Sequence, residues 1–221
     1  MSLIVYQFPH SPYCIPITRA LEALEAPFEI KNISNADRRE VIELTQGAYY
    51  QVPVLVHDGK VIIESSPSST DIAHYVDSTF ANGRLFPKEH EGLQRLVIDH
   101  IEDDVEGVTF RLVDPAYLAE MTDVVERTMI VRHKERKFGR GCVEAWSKQR
   151  EELTNTTKTL LEPYELTLQQ RSFLFGETPI YADFALYGIL GNLTYRGYNK
   201  LPEGFRALHD WQARMKDFRF A

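Results

Sequence analysis

The segment His10-Ser11-Pro12-Tyr13-Cys14 places a hydroxyl and a thiol between a short apolar run and a stretch of helical periodicity. The first N–H groups of a helix lack partners within it and carry partial positive charge, so a thiolate or another anion is stabilised beside them. Ser11 and Cys14 stand where such an anion would be held, and a Ser beside a Pro at a helix start also reads as a plain N-cap. A second group is Val52-Pro53, where a proline opens a strand and removes a ladder donor. That use points to a fixed backbone, a cis bond among its forms, and a strand end of this kind can pair with an extended peptide-like ligand. The third is Glu64-Ser65-Ser66, whose hydroxyls and following helix start can hold a carboxylate while Glu64 accepts from an ammonium. Each has a bland alternative; together they describe a site for a zwitterionic peptide carrying a sulfur.

Positioning these groups requires a particular run of elements. Residues 3–8 are β-branched and aromatic, which predicts a buried strand ended by Pro9. Ile17, Leu21 and Leu24 recur at helical spacing, and Ala26-Pro27 closes that helix. A strand over 28–33, a short helix over 37–44 and a strand over 52–56 follow. His57-Asp58-Gly59-Lys60 predicts a hairpin turn into a strand over 61–63, and Ser66-Pro67 predicts the start of a helix reaching Val76. Beyond residue 89 the pattern is helical, with long stretches at 91–111 and 145–170. The predicted organisation is an α/β domain over 1–80, a turn-rich linker over 81–88 and an all-α domain over 89–221.

Charge narrows the function classes. Lys and Arg number 25 against 32 Asp and Glu, a net of −7. Residues 1–80 hold five basic and ten acidic side chains, so −5 of that total lies in the first domain. Nucleic-acid binding needs a surplus of clustered Lys and Arg and is not expected; the basic run at 132–140 reads as a solvated helix face. No apolar run approaches the roughly 18 residues of a membrane span, and the N-terminus does not resemble a secretory signal. Cys14 and Cys142 are far apart and no Cys/His cluster has metal spacing, so neither a disulfide framework nor a metal is expected. A reducing, cytoplasmic setting fits.

The Ser-Pro-Tyr-Cys turn, the Val-Pro-Val-Leu strand, the Asp-Gly turn and the Glu-Ser helix start, followed by helices, resemble a cytosolic glutathione transferase with a thioredoxin-like N-terminal domain. The resemblance runs over nearly the whole chain. It implies that Ser11 is the catalytic hydroxyl of a serine-type enzyme, donating to the glutathione sulfur. It implies that Val52 pairs with the cysteinyl unit beside a cis Pro53, that Glu64 and Ser65 bind the γ-glutamyl end, and that Gln51 is a further contact to the tripeptide. The segment after Glu64 is longer than in most members, so Ser68 and Ser69 compete with Ser65. Lys31, Arg38 and Arg39 are candidates for the glycyl end. Asp183 resembles a buried capping residue of the helical domain, but Ile180 stands where the family has Ser or Thr, and Thr178 is a possible substitute.

Cys14 is the second choice for the chemistry. A lowered pKa at the helix start would permit a mixed disulfide with glutathione, whereas a two-thiol cycle is unavailable because Ser11 occupies the first position of the motif. Tyr6 reads as a packing residue. The resemblance implies glutathione as co-substrate, no metal, a small hydrophobic electrophile bound partly by residues 103–110, a homodimer, and a role in detoxification. Lyase, dehalogenase, ether-cleaving or thiol-transfer activity on the same site is the alternative, as is a non-catalytic binding protein. The glycine-rich stretch 136–142 reads as a break between helices without a ligand.

Overall fold

β-Branched and aromatic residues make a strand of Leu3–Gln7 (β1), and its central Val5 is fully buried, in register with Ile30 on one side and Leu55 on the other. The computed structural model describes residues 2–65 and 70–221. β1 pairs in parallel with Glu29–Asn32 (β2) and antiparallel with Val54–His57 (β3), which turns back into Lys60–Ile62 (β4). The sheet order is β2-β1-β3-β4. Asp58 and Gly59 have φ of 47° and 82°, the left-handed pair that a tight hairpin requires.

Three helices belong to this sheet: Cys14–Ala23 (α1), Arg39–Leu44 (α2) and Asp71–Val76 (α3). The expected helix start at Ser66-Pro67, and with it Ser68 and Ser69, lies outside the described residues. α3 runs on through a π-helical turn, Asp77–Ala81, past the helix end expected at Val76. The segment that follows is pinned: Asp77 Oδ1 accepts from the Leu85 amide at 2.8 Å, and the Leu85 carbonyl accepts from the Tyr181 amide at 2.9 Å.

The rest is helical, as predicted: Glu91–Asp99 (α4), Glu106–Glu120 (α5), Val124–Phe138 (α6), Cys142–Lys148 (α7), Arg150–Leu168 (α8), Tyr181–Leu193 (α9) and Arg206–Asp217 (α10). The long stretches expected as continuous helices are interrupted. A π-helical segment, His100–Val105, joins α4 to α5, and Gln149 separates α7 from α8. No described helix is long and apolar enough to cross a membrane.

One core spans both parts of the chain, because Ile17 and Leu21 of α1 share it with Leu186 and Ile189 of α9. The two helices approach closely at Gly188, where a Cβ would stand 2.4 Å from the Pro12 carbonyl oxygen and from the Pro16 ring. Buried Arg19 adds a polar tie, its Nε donating to the Met215 carbonyl at 2.7 Å. Asp183 is fully buried and organises the start of α9: Oδ1 accepts from Leu174 N and Trp211 Nε1, and Oδ2 from Ile180 N. The reciprocal cap that Ile180 cannot supply with its side chain comes from its backbone carbonyl, which accepts from Asp183 N at 2.9 Å. On the other face of the sheet, Tyr6, Phe8, Cys14, Val41, Val52 and Val54 form a smaller core.

Candidate active site

The chain between β1 and α1 closes on itself around Ser11. The Ser11 carbonyl accepts from Cys14 N and Ile15 N at 3.1 Å, and its hydroxyl oxygen accepts from Tyr13 N and Cys14 N at 3.3 Å. The helix amides that the sequence suggests for an anion are therefore turned onto Ser11 itself. A hydroxyl whose oxygen accepts has one proton left to donate, and accepting from polarised N–H groups strengthens it as a donor. Ser11 is 7% exposed and lies on the wall of a cavity of about 600 Å³ between the sheet domain and the helices. Asn192 on α9 fixes the turn from the other side, donating to the His10 carbonyl at 2.6 Å.

Cys14 faces away from this cavity. It is fully buried in the smaller core, and burial pushes its thiol up to about 12, against the lowering expected from the helix start; hydrogen bonding from Ser11 opposes this but does not offset it. Tyr6 is buried in the same core, as expected for a packing residue.

The Val52–Pro53 peptide is cis. The β1–β3 register ends at Tyr6↔Val54, which leaves Val52 and Pro53 just beyond the ladder, and Gln51 lines the cavity beside Ser11. Of the three basic candidates only Arg38 lines that cavity. It is held by Asn35 and by the Tyr50 carbonyl, with its guanidinium 4.4 Å from the centre of the Phe8 ring. Lys31 is drawn to Glu40, and exposed Arg39 lies 3.9 Å from Asp37.

At the third motif the donors are already engaged. Ser65 gives both its amide and its hydroxyl to Asp71 Oδ2, at 2.7 and 2.8 Å. Glu64 accepts from Asp71 N at 2.7 Å and Ile72 N at 3.4 Å, capping α3. Burial raises Glu64 to about 7 despite these bonds, and raises Glu102, on the facing π-helical segment, to about 8 with the charge of Glu64 adding to it. Burial thus holds both carboxylates unfavourably in their charged forms.

The helical wall of the cavity comes from α5 and α6. Glu106, Phe110, Asp114 and Tyr117 share one face of α5; of the expected stretch 103–110, Glu106 and Phe110 line the cavity whereas Asp103 is exposed. Burial raises Glu106 to about 7. From α6 come His133, Lys134, Arg136 and Lys137, so the basic run read as a solvated face lines the cavity over part of its length, and Arg136 and Lys137 belong to the last turn of α6 rather than to a glycine-rich loop. Gly139 and Gly141, at φ of 92° and 77°, make the break itself. The His10 ring lies tilted against Tyr117 with centroids 4.4 Å apart, and burial lowers its imidazole to about 4. Asp71, Glu102 and the α6 cations carry no local motif; only the packing of separate elements reveals them. Among the described residues, no three His, Cys, Asp or Glu side chains group as a metal site.

A four-stranded sheet with a cis proline leading into β3, joined to a helical domain across a cavity, defines the class. The family model for the Glutathione S-transferase, N-terminal domain matches residues 5–84, and that for the Glutathione S-transferase, C-terminal domain matches 145–214, together about two thirds of the chain. The chain belongs to the glutathione transferase family. A Nicotiana tabacum protein described as a "Probable glutathione S-transferase" is 28% identical over 103 residues, spanning 46% of this chain and 44% of its own length. A glutathione S-transferase of Ceriporiopsis subvermispora solved with glutathione has a similar fold, with a TM-score of 0.82 and 17% identity over 99% of this chain and 98% of that one. A glutathione transferase from Phanerochaete chrysosporium aligns equally well, at 0.82 and 16% over 100% and 98%. A β-etherase from Sphingobium aligns at 0.70 and 17% over 98% and 96%.

Proposed function

We propose that the protein is a glutathione S-transferase in which Ser11 favours the glutathione thiolate for attack on a small electrophile bound against α5 and α6. The observation that carries this reading is the Ser11 hydroxyl at the cavity wall, its oxygen accepting from two helix amides and its one proton within reach of either Cys14 or a sulfur bound in the cavity. A free thiol of pKa near 8.5 is mostly protonated at neutral pH, and each unit of lowering corresponds to about 1.4 kcal/mol. A Ser11 hydrogen bond at a helix terminus supplies about one to two units.

In this reading the cysteinyl unit pairs with Val52 beside Pro53, Gln51 contacts the tripeptide, and Arg38 receives the glycyl carboxylate. The γ-glutamyl ammonium lies between Glu64 and Glu102, and the γ-glutamyl carboxylate takes the Ser65 donors from Asp71. No metal takes part. The reading extends to a cytoplasmic homodimer serving detoxification, with domains over 1–80 and 89–221 joined by 81–88. Thiol transfer through Cys14 is disfavoured by its burial, and ether cleavage by the same thiolate is separated only by a panel of electrophiles. Calorimetric titration with glutathione tests the reading: binding at millimolar concentration or tighter supports it, and its absence overturns it.

A further inference from the structure

The cavity is cationic although the chain is acidic. Arg38, Lys134, Arg136 and Lys137 line it against only Glu106 and Asp114, while the whole chain carries −7. The two acids cancel only part of this charge. Asp114 pairs with Lys134 at 2.6 Å, and burial raises Glu106 to about 7, which leaves Arg38, Arg136 and Lys137. Burial lowers His133, with the charges of Lys134, Arg136, Arg38 and Lys137 adding to it, so cations from both walls act at one point. The remaining walls mix aromatic Phe8, Tyr50, Phe110 and Tyr117 with polar and aliphatic side chains, and Phe110 and Tyr117 lie on the α5 wall that faces α6. Glutathione brings one carboxylate to this side, and Arg38, fixed on the sheet domain, matches it. Arg136 and Lys137, both exposed at the end of α6, are left over. Low-dielectric walls lined by one sign of charge focus the field on what enters.

We infer that the second substrate is an aromatic compound bearing a carboxylate or comparable anionic group, held by Arg136 and Lys137 at the end of α6 with its ring against Phe110 and Tyr117. This deepens the transferase reading and rests on it for the reaction, though not for the binding. A wholly apolar electrophile would leave these cations unused. An anionic one gains an attraction that salt weakens.

The test is isothermal titration of the full chain with dinitrobenzoate and with the matching dinitrobenzamide, unreactive rings that differ in charge, and separately with glutathione. Two exposed charge contacts predict that the benzoate binds roughly tenfold more tightly than the amide, with the preference shrinking as salt rises. The double variant Arg136→Gln/Lys137→Gln, and independently Lys137→Glu, removes the preference while glutathione binds as before. Equal binding of the two rings to the wild-type protein overturns the inference, as does a double variant that weakens glutathione as much as benzoate, since the strip would then serve the tripeptide. A benzoate preference without any glutathione binding supports the anionic site and overturns the transferase reading alone.

Discussion

The Asp71 carboxylate takes both donors of Ser65, its amide at 2.7 Å and its hydroxyl at 2.8 Å. In the proposed binding mode an internal side chain thus occupies the two donors assigned to the γ-glutamyl carboxylate, and the ligand would have to displace it. Asp71→Ala is expected to tighten glutathione binding about fivefold, the equivalent of roughly 1 kcal/mol of charge-assisted bonding no longer opposed. The same change removes an acid from the first turn of α3 and lowers stability by about 0.5–1 kcal/mol. Weaker binding in the variant would show that Asp71 assists the ligand.

Glu64 and Glu102 have raised pKa values, to about 7 and about 8, so both are partly protonated near neutrality. An ammonium lodged between them stabilises the charged forms, lowers both values and releases protons. Affinity should therefore rise from pH 5 to 8. S-Methylglutathione, which has no thiol proton, isolates this effect: calorimetry in two buffers of different ionisation enthalpy should show net proton release near pH 7, reduced in Glu102→Gln. Proton uptake would contradict the assignment.

The same raised value has a stability consequence. A carboxyl with a higher pKa folded than unfolded stabilises most below its unfolded value, about 4.3, and that contribution is lost as pH rises through about 8. Glu102→Gln should match wild type in Tm near pH 4.5 and exceed it by about 3 °C or more at pH 9, without ligand. No difference at pH 9 would mean that Glu102 is well solvated.

Much of the sheet domain is legible in the sequence because its signals are local. The Asp-Gly turn, the β-branched strands and Val52-Pro53 each announce themselves within a few residues. The cationic wall is not, because α6 buries no side chain and its basic run has the composition of an ordinary solvated helix. Only its packing across from Ser11 gives one face a cavity to line. The Cys14 thiol misleads for a related reason: a helix start lowers a thiol pKa only where solvent or a cation reaches it, and this one points into the core. The Ser65–Asp71 pair is not legible either, because the helix start read at Ser66-Pro67 gives no reason for Asp71 to reach back to Ser65.

Gly188 sets how closely α9 approaches the turn that carries Ser11. Gly188→Ala puts a methyl 2.4 Å from the Pro12 carbonyl oxygen and the Pro16 ring, backbone and ring atoms that yield little. A loss of about 1–3 kcal/mol in chemical denaturation is expected. An unchanged midpoint would show that the two helices separate easily.

Native Cys14 should resist alkylation and react only on unfolding, as its burial requires. Mass spectrometry after a brief iodoacetamide pulse reads this directly, and conjugating activity should survive Cys14→Ala. Labelling of the folded chain at Cys14 would return the thiol to consideration.

The most direct measurement is the pH titration of the bound glutathione thiol, followed by thiolate absorbance in the ultraviolet, in wild type and in Ser11→Ala. With Ser11 donating to the sulfur, the bound thiol should titrate about one to two units below 8.5, and Ser11→Ala should return it close to 8.5 with glutathione still bound. A bound thiol that titrates at the same pH with and without the Ser11 hydroxyl would contradict the account.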